Sequence, residues 1–306
     1  MTNNNKYLIV IAGPTAVGKT NTAIKLAKLL SCEIISADSR QFYKELKIGA
    51  AQPTLEKLNQ VKHHFIGFKT ITEYYNVSCF EQDVITLLLK IFKKNNIVIM
   101  CGGSGLYIDA VCNGIDDMPD FDTELRNKLM SRLETEGVES LRIELKKLDV
   151  ITYNKIDLRN KNRIVRALEM CLLTGKPYSQ FLLKTPKYRP FNIIKIALNI
   201  DRNELHNKIN ERVDLMFEAG LENEAKSLYQ YKNLNALKTV GYKELFDYLD
   251  NKIELKQAKE LIKRNTRRYA RKQISWFNRN NEYEWFVPND FNEILKFVNS
   301  KINEKQ

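Results

Sequence analysis

An α/β protein, with a parallel sheet covered by helices and a helical insertion set into it, is the fold class this sequence predicts. Three observations predict it. The apolar run Tyr7–Ala12 leads straight into a glycine-bounded loop and an amphipathic helix. Short strand-like runs then recur between stretches of helical periodicity, the pattern of parallel strands joined by crossover helices. Between Ile115 and Arg189 the strand-like runs stop and charged helical patterns take over, after which a strand returns.

In chain order, Tyr7–Ala12 is apolar at every position, as a strand covered on both faces must be. The next residues, Gly13, Pro14, Thr15, Ala16, Val17, Gly18, Lys19 and Thr20, have the spacing of the loop that wraps backbone N–H groups around a di- or triphosphate. Its glycines permit the tight turn, and a helix from Lys19 to about Leu30 points its positive end at the anion. Lys19 is placed to meet the outer phosphates, and Thr20 to hold Mg²⁺. The core is therefore expected to be a P-loop NTPase-like parallel sheet. Further strands are expected at Glu33–Ala37, Ile97–Cys101 and Ile193–Ile200. Helices are expected at Thr123–Glu136, Val138–Leu148 and Asn160–Leu173, followed by a helical carboxy-terminal region from Asp201. This divides the chain into a core, 1–114 with 190–306, and an insertion, 115–189.

Composition bounds the rest. With 306 residues and 43% hydrophobic content the chain can bury a large core. Its longest apolar stretches, such as Val84–Phe92, are broken by charge and far too short to span a bilayer. The loop begins at Gly13, so no targeting peptide is expected ahead of the first strand. The cysteines Cys32, Cys79, Cys101, Cys112 and Cys171 are odd in number and lack metal-site spacing, so a reducing cytoplasm is expected. The net charge of +12 favours polyanionic partners. It is concentrated between Ile262 and Arg279, a segment without acidic residues in which aromatic and basic side chains interleave. On a helix Arg264, Arg267, Arg268 and Arg271 share one face, a stripe suited to an RNA backbone.

Ligands of open parallel sheets sit beyond the carboxyl ends of the strands. Three segments meet there: the phosphate loop, Ala37-Asp38-Ser39-Arg40 after the second strand, and Cys101-Gly102-Gly103-Ser104-Gly105 after the next expected one. Asp38 can accept a proton from a nucleophile brought beside the cradle. The second glycine turn, with the Ser104 hydroxyl, is expected to form a further anion-friendly helix start. The Ile97–Cys101 run ends in glycine where a nucleotide hydrolase would place a magnesium-holding aspartate, which disfavours simple ATPase action. A small-molecule kinase with an aspartate base, and a non-catalytic RNA-binding protein, remain open on these residues alone.

Seven blocks in order resemble the tRNA dimethylallyltransferases, also called tRNA isopentenyltransferases: Gly13 to Thr20, Asp38-Ser-Arg-Gln-Phe-Tyr43, Ile48-Gly-Ala-Ala-Gln-Pro-Thr54, His63-His-Phe-Ile66, Gly102-Gly-Ser-Gly-Leu-Tyr107, Asn162-Arg-Ile-Val-Arg-Ala-Leu-Glu169 and Val240-Gly-Tyr-Lys-Glu244. The resemblance implies transfer of a dimethylallyl group from dimethylallyl diphosphate to N6 of the adenosine 3′ of the anticodon, with Mg²⁺ as cofactor. It implies that Asp38 is the proton acceptor, that Lys19 and the loop stabilise the leaving diphosphate, and that Ser104 touches the substrate nucleotide. Arg212 is a candidate for a diphosphate contact. Asp38, Ser39, Arg40 and Gln41, together with Arg126, Asn162, Arg163, Ile164, Val165 and Arg166, would grip the anticodon stem-loop and its extruded base. A prenyltransferase acting on free AMP or ADP is the nearest alternative. Gln52 departs from the usual lysine and Asn162 from a frequent glutamine; His63 and His64 are expected to pack and hydrogen-bond. A monomer is the default, with no partner membrane.

Overall fold

The computed structural model describes residues 5–116, 118–119, 122–182 and 185–304. Its contacts group into two units, Met1–Asn113 with Tyr188–Gln306, and Gly114–Lys187.

The first unit is built on a parallel six-stranded sheet in the order β3-β2-β4-β1-β5-β6. The strands are β1 (Tyr7–Ala12), β2 (Ile34–Ser36), β3 (His63–His64), β4 (Ile97–Cys101), β5 (Asn192–Leu198) and β6 (Glu284–Phe286). The helices of this unit are α1 (Lys19–Leu29), α2 (Leu55–Leu58), α3 (Val77–Ile91) and α4 (Gly105–Asn113), then, after the insertion, α9 (Arg202–Glu218), α10 (Leu221–Ser227), α11 (Tyr242–Leu249), α12 (Leu255–Phe277) and α13 (Phe291–Asn303). Tyr7 pairs with Ile97 on one side and Asn192 on the other, so β1 lies at the centre. Its side chains alternate between two apolar layers: Leu8, Val10 and Ala12 enter one core cluster, Tyr7, Ile9 and Ile11 the other. That is why no polar residue interrupts the strand.

Two strands escaped the sequence pattern. β3 and β6 are two and three residues long, too short to carry a period, and they close the two edges of the sheet. The region after Asp201 is accordingly helical except for β6. In β3, His64 Nε2 lies 2.5 Å from Glu33 Oε2 and His63 Nδ1 2.7 Å from the Val61 carbonyl, so both imidazoles brace the edge. All five cysteines are free thiols.

The second unit holds α5 (Thr123–Thr135), α6 (Gly137–Leu148), α7 (Val150–Lys155) and α8 (Lys161–Thr174). Asp122 caps α5 through the amides of Glu124 and Leu125, Asp149 caps α7, and Asn160 caps α8. Leu129, Leu133, Leu141, Leu145 and Leu168 form its own small core.

Candidate active site

The order of the sheet sets the carboxyl ends of β2, β4 and β1 side by side. From β1 the chain turns at Gly13 with φ +142°, and a Cβ there would come within 2.5 Å of the Leu198 carbonyl on β5. Gly18, at φ +107°, opens α1 without a side-chain cap, so the helix start faces the loop. Val17 is buried and anchors the loop in the core. Lys19 Nζ donates to the Pro14 carbonyl at 2.7 Å, closing the cradle across its own mouth. Enclosure lowers the Lys19 ammonium to about 8; the Cys101 thiol beside it works the other way, Arg212 lowers it further and Asp38 pulls it back up. Arg212, from α9, reaches the same loop, with Nη1 3.4 Å from Thr15 Oγ1. Burial lowers its pKa as well, and the Asp38 carboxylate offsets part of that.

Asp38 follows β2, and its Oδ1 accepts from the Arg40 amide at 2.9 Å, an Asx turn that fixes the carboxylate at the strand tip. It thus shares one electrostatic neighbourhood with Lys19 and Arg212. The second glycine turn commits two of its amides to the fold. Gly102 N–H donates to Ile11 O at 3.1 Å and Ser104 N–H to Ala37 O at 3.2 Å, so these amides join three strand ends and are not offered to an anion. Gly102 is needed because a Cβ would lie 2.1 Å from the Ala37 carbonyl. The Ser104 hydroxyl, also buried, accepts from the Ser39 amide at 3.0 Å. Gln41 is likewise committed to the fold: its Oε1 accepts from Ser36 Oγ at 2.9 Å and its Nε2 donates to the Ala51 carbonyl at 3.1 Å, so its side chain is not available to RNA. Gln52 donates from Nε2 to the carbonyls of Gln41 and Tyr43, at 3.1 and 2.8 Å, so a neutral amide does the tethering where the resemblance has lysine.

Two contributors to this centre come from α12. Gln273 is buried; its Oε1 accepts from the Thr15 amide and its Nε2 donates to the Gly103 carbonyl, each at 2.9 Å. It clamps the phosphate loop to the second glycine turn, and it takes one amide that sequence reasoning assigned to the anion. Tyr269 is exposed along its ring, but its hydroxyl is enclosed beside Ser104 and Gln273, and that enclosure pushes it up to about 12. Trp276, two turns from Tyr269, donates from Nε1 to Asp109 Oδ2 at 2.8 Å. On the other face of α12, Arg264, Arg268 and Arg271 are exposed. Arg267 leaves the expected stripe: its Nη1 donates to Asn210 Oδ1 at 2.5 Å. Lys263 is drawn inward too, to Asp214 on α9 at 2.9 Å.

Within the insertion unit, Asn162 and Arg163 stand exposed on the first turn of α8. Ile164 and Val165 are fully buried and pack in that unit's core, so their expected RNA contact is replaced by a packing role. Arg126 and Arg166 converge on one carboxylate, with Nη1 atoms 2.9 and 3.3 Å from Glu169 Oε2.

The profile of the family described as IPP transferase matches residues 41–280. The chain belongs to the IPP transferase family. A tRNA dimethylallyltransferase 2 of Azobacteroides pseudotrichonymphae is 52% identical over 289 residues, which is 94% of each chain. A tRNA dimethylallyltransferase 1 of Bacteroides fragilis is 47% identical over 97% of this chain and 99% of its own. Among solved structures, the full-length tRNA isopentenylpyrophosphate transferase of Bacillus halodurans superposes with a TM-score of 0.73 at 36% identity over 98% of both chains. A eukaryotic dimethylallyltransferase, described as acting on tRNA, gives a TM-score of 0.73 at 29% identity over 89% of this chain and 69% of that one. At 98% of this chain, the likeness to the Bacillus halodurans structure extends over the phosphate loop, which lies ahead of the segment that the IPP transferase profile matches.

Among the described residues no group of three or more His, Cys, Asp or Glu side chains could hold a metal ion. Mg²⁺ in a phosphate cradle is held by substrate phosphates and waters with one or two protein oxygens, and Thr20 carries a hydroxyl on the first turn of α1. Gln273 and Tyr269 are the contributors to this centre that sequence reasoning missed. The available signal was helical spacing, since Tyr269 and Gln273 stand four residues apart on a face of α12 turned away from the arginine stripe.

Proposed function

We propose that this protein transfers the dimethylallyl group of dimethylallyl diphosphate to N6 of the adenosine 3′ adjacent to the anticodon (position 37) of tRNA, releasing diphosphate. The observation that carries the reading is the Asp38 carboxylate at the tip of β2, in the same electrostatic neighbourhood as Lys19 and Arg212 of the phosphate cradle. The full-length likeness to tRNA dimethylallyltransferases supports it.

In this reading the allylic C–O bond breaks as the N6–C bond forms. The adenine lone pair is delocalised into the ring, so bonding requires loss of an N6 proton, which passes to Asp38. Negative charge growing on the departing oxygens is met by Lys19, Arg212 and the remaining loop amides. Thr20 would hold a Mg²⁺ ion, which would supply Lewis-acid neutralisation of the leaving group. Ser104 shapes the nucleotide site through Ser39 and Tyr269. Ser39, Arg40, Arg126, Asn162, Arg163, Arg166, Arg264, Arg268 and Arg271 contact the RNA. The enzyme works as a cytoplasmic monomer.

Incubation with unmodified tRNA, labelled dimethylallyl diphosphate and Mg²⁺ is expected to move label into RNA. Label appearing only in AMP or ADP, or γ-phosphate transfer from ATP, would reject the reading. Replacing Arg268 and Arg271 together by alanine is expected to weaken tRNA binding. It should also reduce the slope of log K against log salt by roughly 1.5, because each lost phosphate contact removes about 0.7–0.9. An unchanged slope by filter binding would move the RNA path off α12. Gln273→Leu strands the Thr15 amide and the Gly103 carbonyl, at about 1–3 kcal/mol for a buried group left unsatisfied. Initial rates with each substrate varied should show KM for the diphosphate raised roughly tenfold and KM for tRNA within twofold; equal losses on both would make Gln273 a general folding residue.

A further inference from the structure

Glu169 lies on the inner side of α8 with no exposed surface. Its Oε2 takes two guanidiniums, Arg126 from α5 at 2.9 Å and Arg166 from one turn earlier on α8 at 3.3 Å, while its Oε1 is buried with no hydrogen-bond partner. A carboxylate in such a core is poorly explained by stability, since a well-packed apolar residue serves a small core at least as well. The two arginines differ from their anchor. Their side chains are 38% and 30% exposed, so each is pinned inward at one terminal nitrogen yet remains partly open to solvent, Arg166 with its Nη2 4.0 Å from Met118 Sδ. Two guanidiniums this close repel each other unless an anion lies between them, and Glu169 is that anion.

We infer that Glu169 is a positioning residue for RNA binding: it locks Arg126 and Arg166 side by side as a preformed pair of forks that receives tRNA phosphate oxygens. The inference rests on the proposed tRNA reading, and within it on these arginines meeting the RNA. The paired forks bind bidentately, which a mobile point charge cannot do. Holding them in place beforehand removes the cost of immobilising two long side chains when RNA arrives.

The sign of one substitution separates this from plain electrostatics. Glu169→Gln removes a negative charge beside the RNA path, so charge alone predicts tighter binding. Positioning predicts the reverse: tRNA affinity about tenfold weaker at low salt and a salt slope smaller by about 1. In a double-mutant cycle with Arg126→Ala, the second substitution should add little to the first. Arg126→Lys keeps the charge without the fork and serves where Glu169→Gln melts too low to assay; it is expected to bind tRNA several-fold more weakly. Glu169→Gln binding as well as or better than the parent, or Arg126→Lys binding like the parent where Glu169→Gln cannot be assayed, overturns the inference. If Arg126→Ala and Arg166→Ala leave binding unchanged while the parent still prenylates tRNA, the RNA grip lies elsewhere and the inference falls alone. Absence of transfer by the parent would remove the reading beneath it.

Discussion

Asparagine at Asp38 is expected to lower turnover on tRNA by about 10³, within the 10²–10⁴ range that a positioned general base supplies, while tRNA binding stays within about twofold. The substitution is nearly isosteric. The new amide oxygen can still accept from the Arg40 amide, so the Asx turn after β2 survives and the strand tip keeps its place. What disappears is the ability to take a proton and the negative charge facing Lys19 and Arg212. Removing that charge favours anion binding in the cradle, so affinity for dimethylallyl diphosphate should hold or improve as kcat collapses. A purely structural aspartate would lower both together. Single-turnover transfer with saturating tRNA separates the two, and turnover near that of the parent would show that another group accepts the N6 proton.

The parts of this site that could be read in the sequence are those whose determinants are local. β1 must be apolar throughout because both faces are covered, and the phosphate loop needs Gly13 and Gly18 where φ is positive, so both leave contiguous marks. The tips of β2 and β4 follow from the rule that ligands lie at the carboxyl ends of parallel strands. What escaped was set by distance along the chain or by competition among partners. Gln273 meets Thr15 across 258 residues of sequence, and nothing near either announces the other. Gln41 and the amides of Gly102 and Ser104 have the right chemistry for ligands, yet neighbouring backbone groups claim them first. Ile164 and Val165 belong to a motif block whose polar positions point to RNA. Helical spacing with Leu168 and Cys171 puts them on the buried face, and the polar positions of the same block, Asn162 and Arg163, stand outside.

Lys19 should make diphosphate affinity fall as pH rises past about 8. In the free protein enclosure holds the ammonium at about 8, so above that value the cradle is increasingly neutral. A bound diphosphate brings negative charge against the same nitrogen and raises its pKa, so the complex holds a proton that the free protein has lost. Binding in this window takes up protons, and raising pH therefore opposes it, by up to about tenfold for each pH unit. Below about pH 7 Lys19 is charged in both states and contributes no slope. Calorimetric titration at pH 8.5 in two buffers of different ionisation heat should register proton uptake on binding dimethylallyl diphosphate. Lys19→Met should abolish that uptake and weaken binding roughly 10- to 100-fold, the worth of a charge-assisted hydrogen bond of about 1.5–3 kcal/mol. The methionine cannot donate to the Pro14 carbonyl, which Lys19 engages in the free cradle, so part of the parent's gain on binding is the exchange of that carbonyl for phosphate oxygens. An affinity that stays flat to pH 9.5 in the parent protein would mean that Lys19 keeps its partner Pro14 and that the diphosphate is held by Arg212 and the loop amides instead.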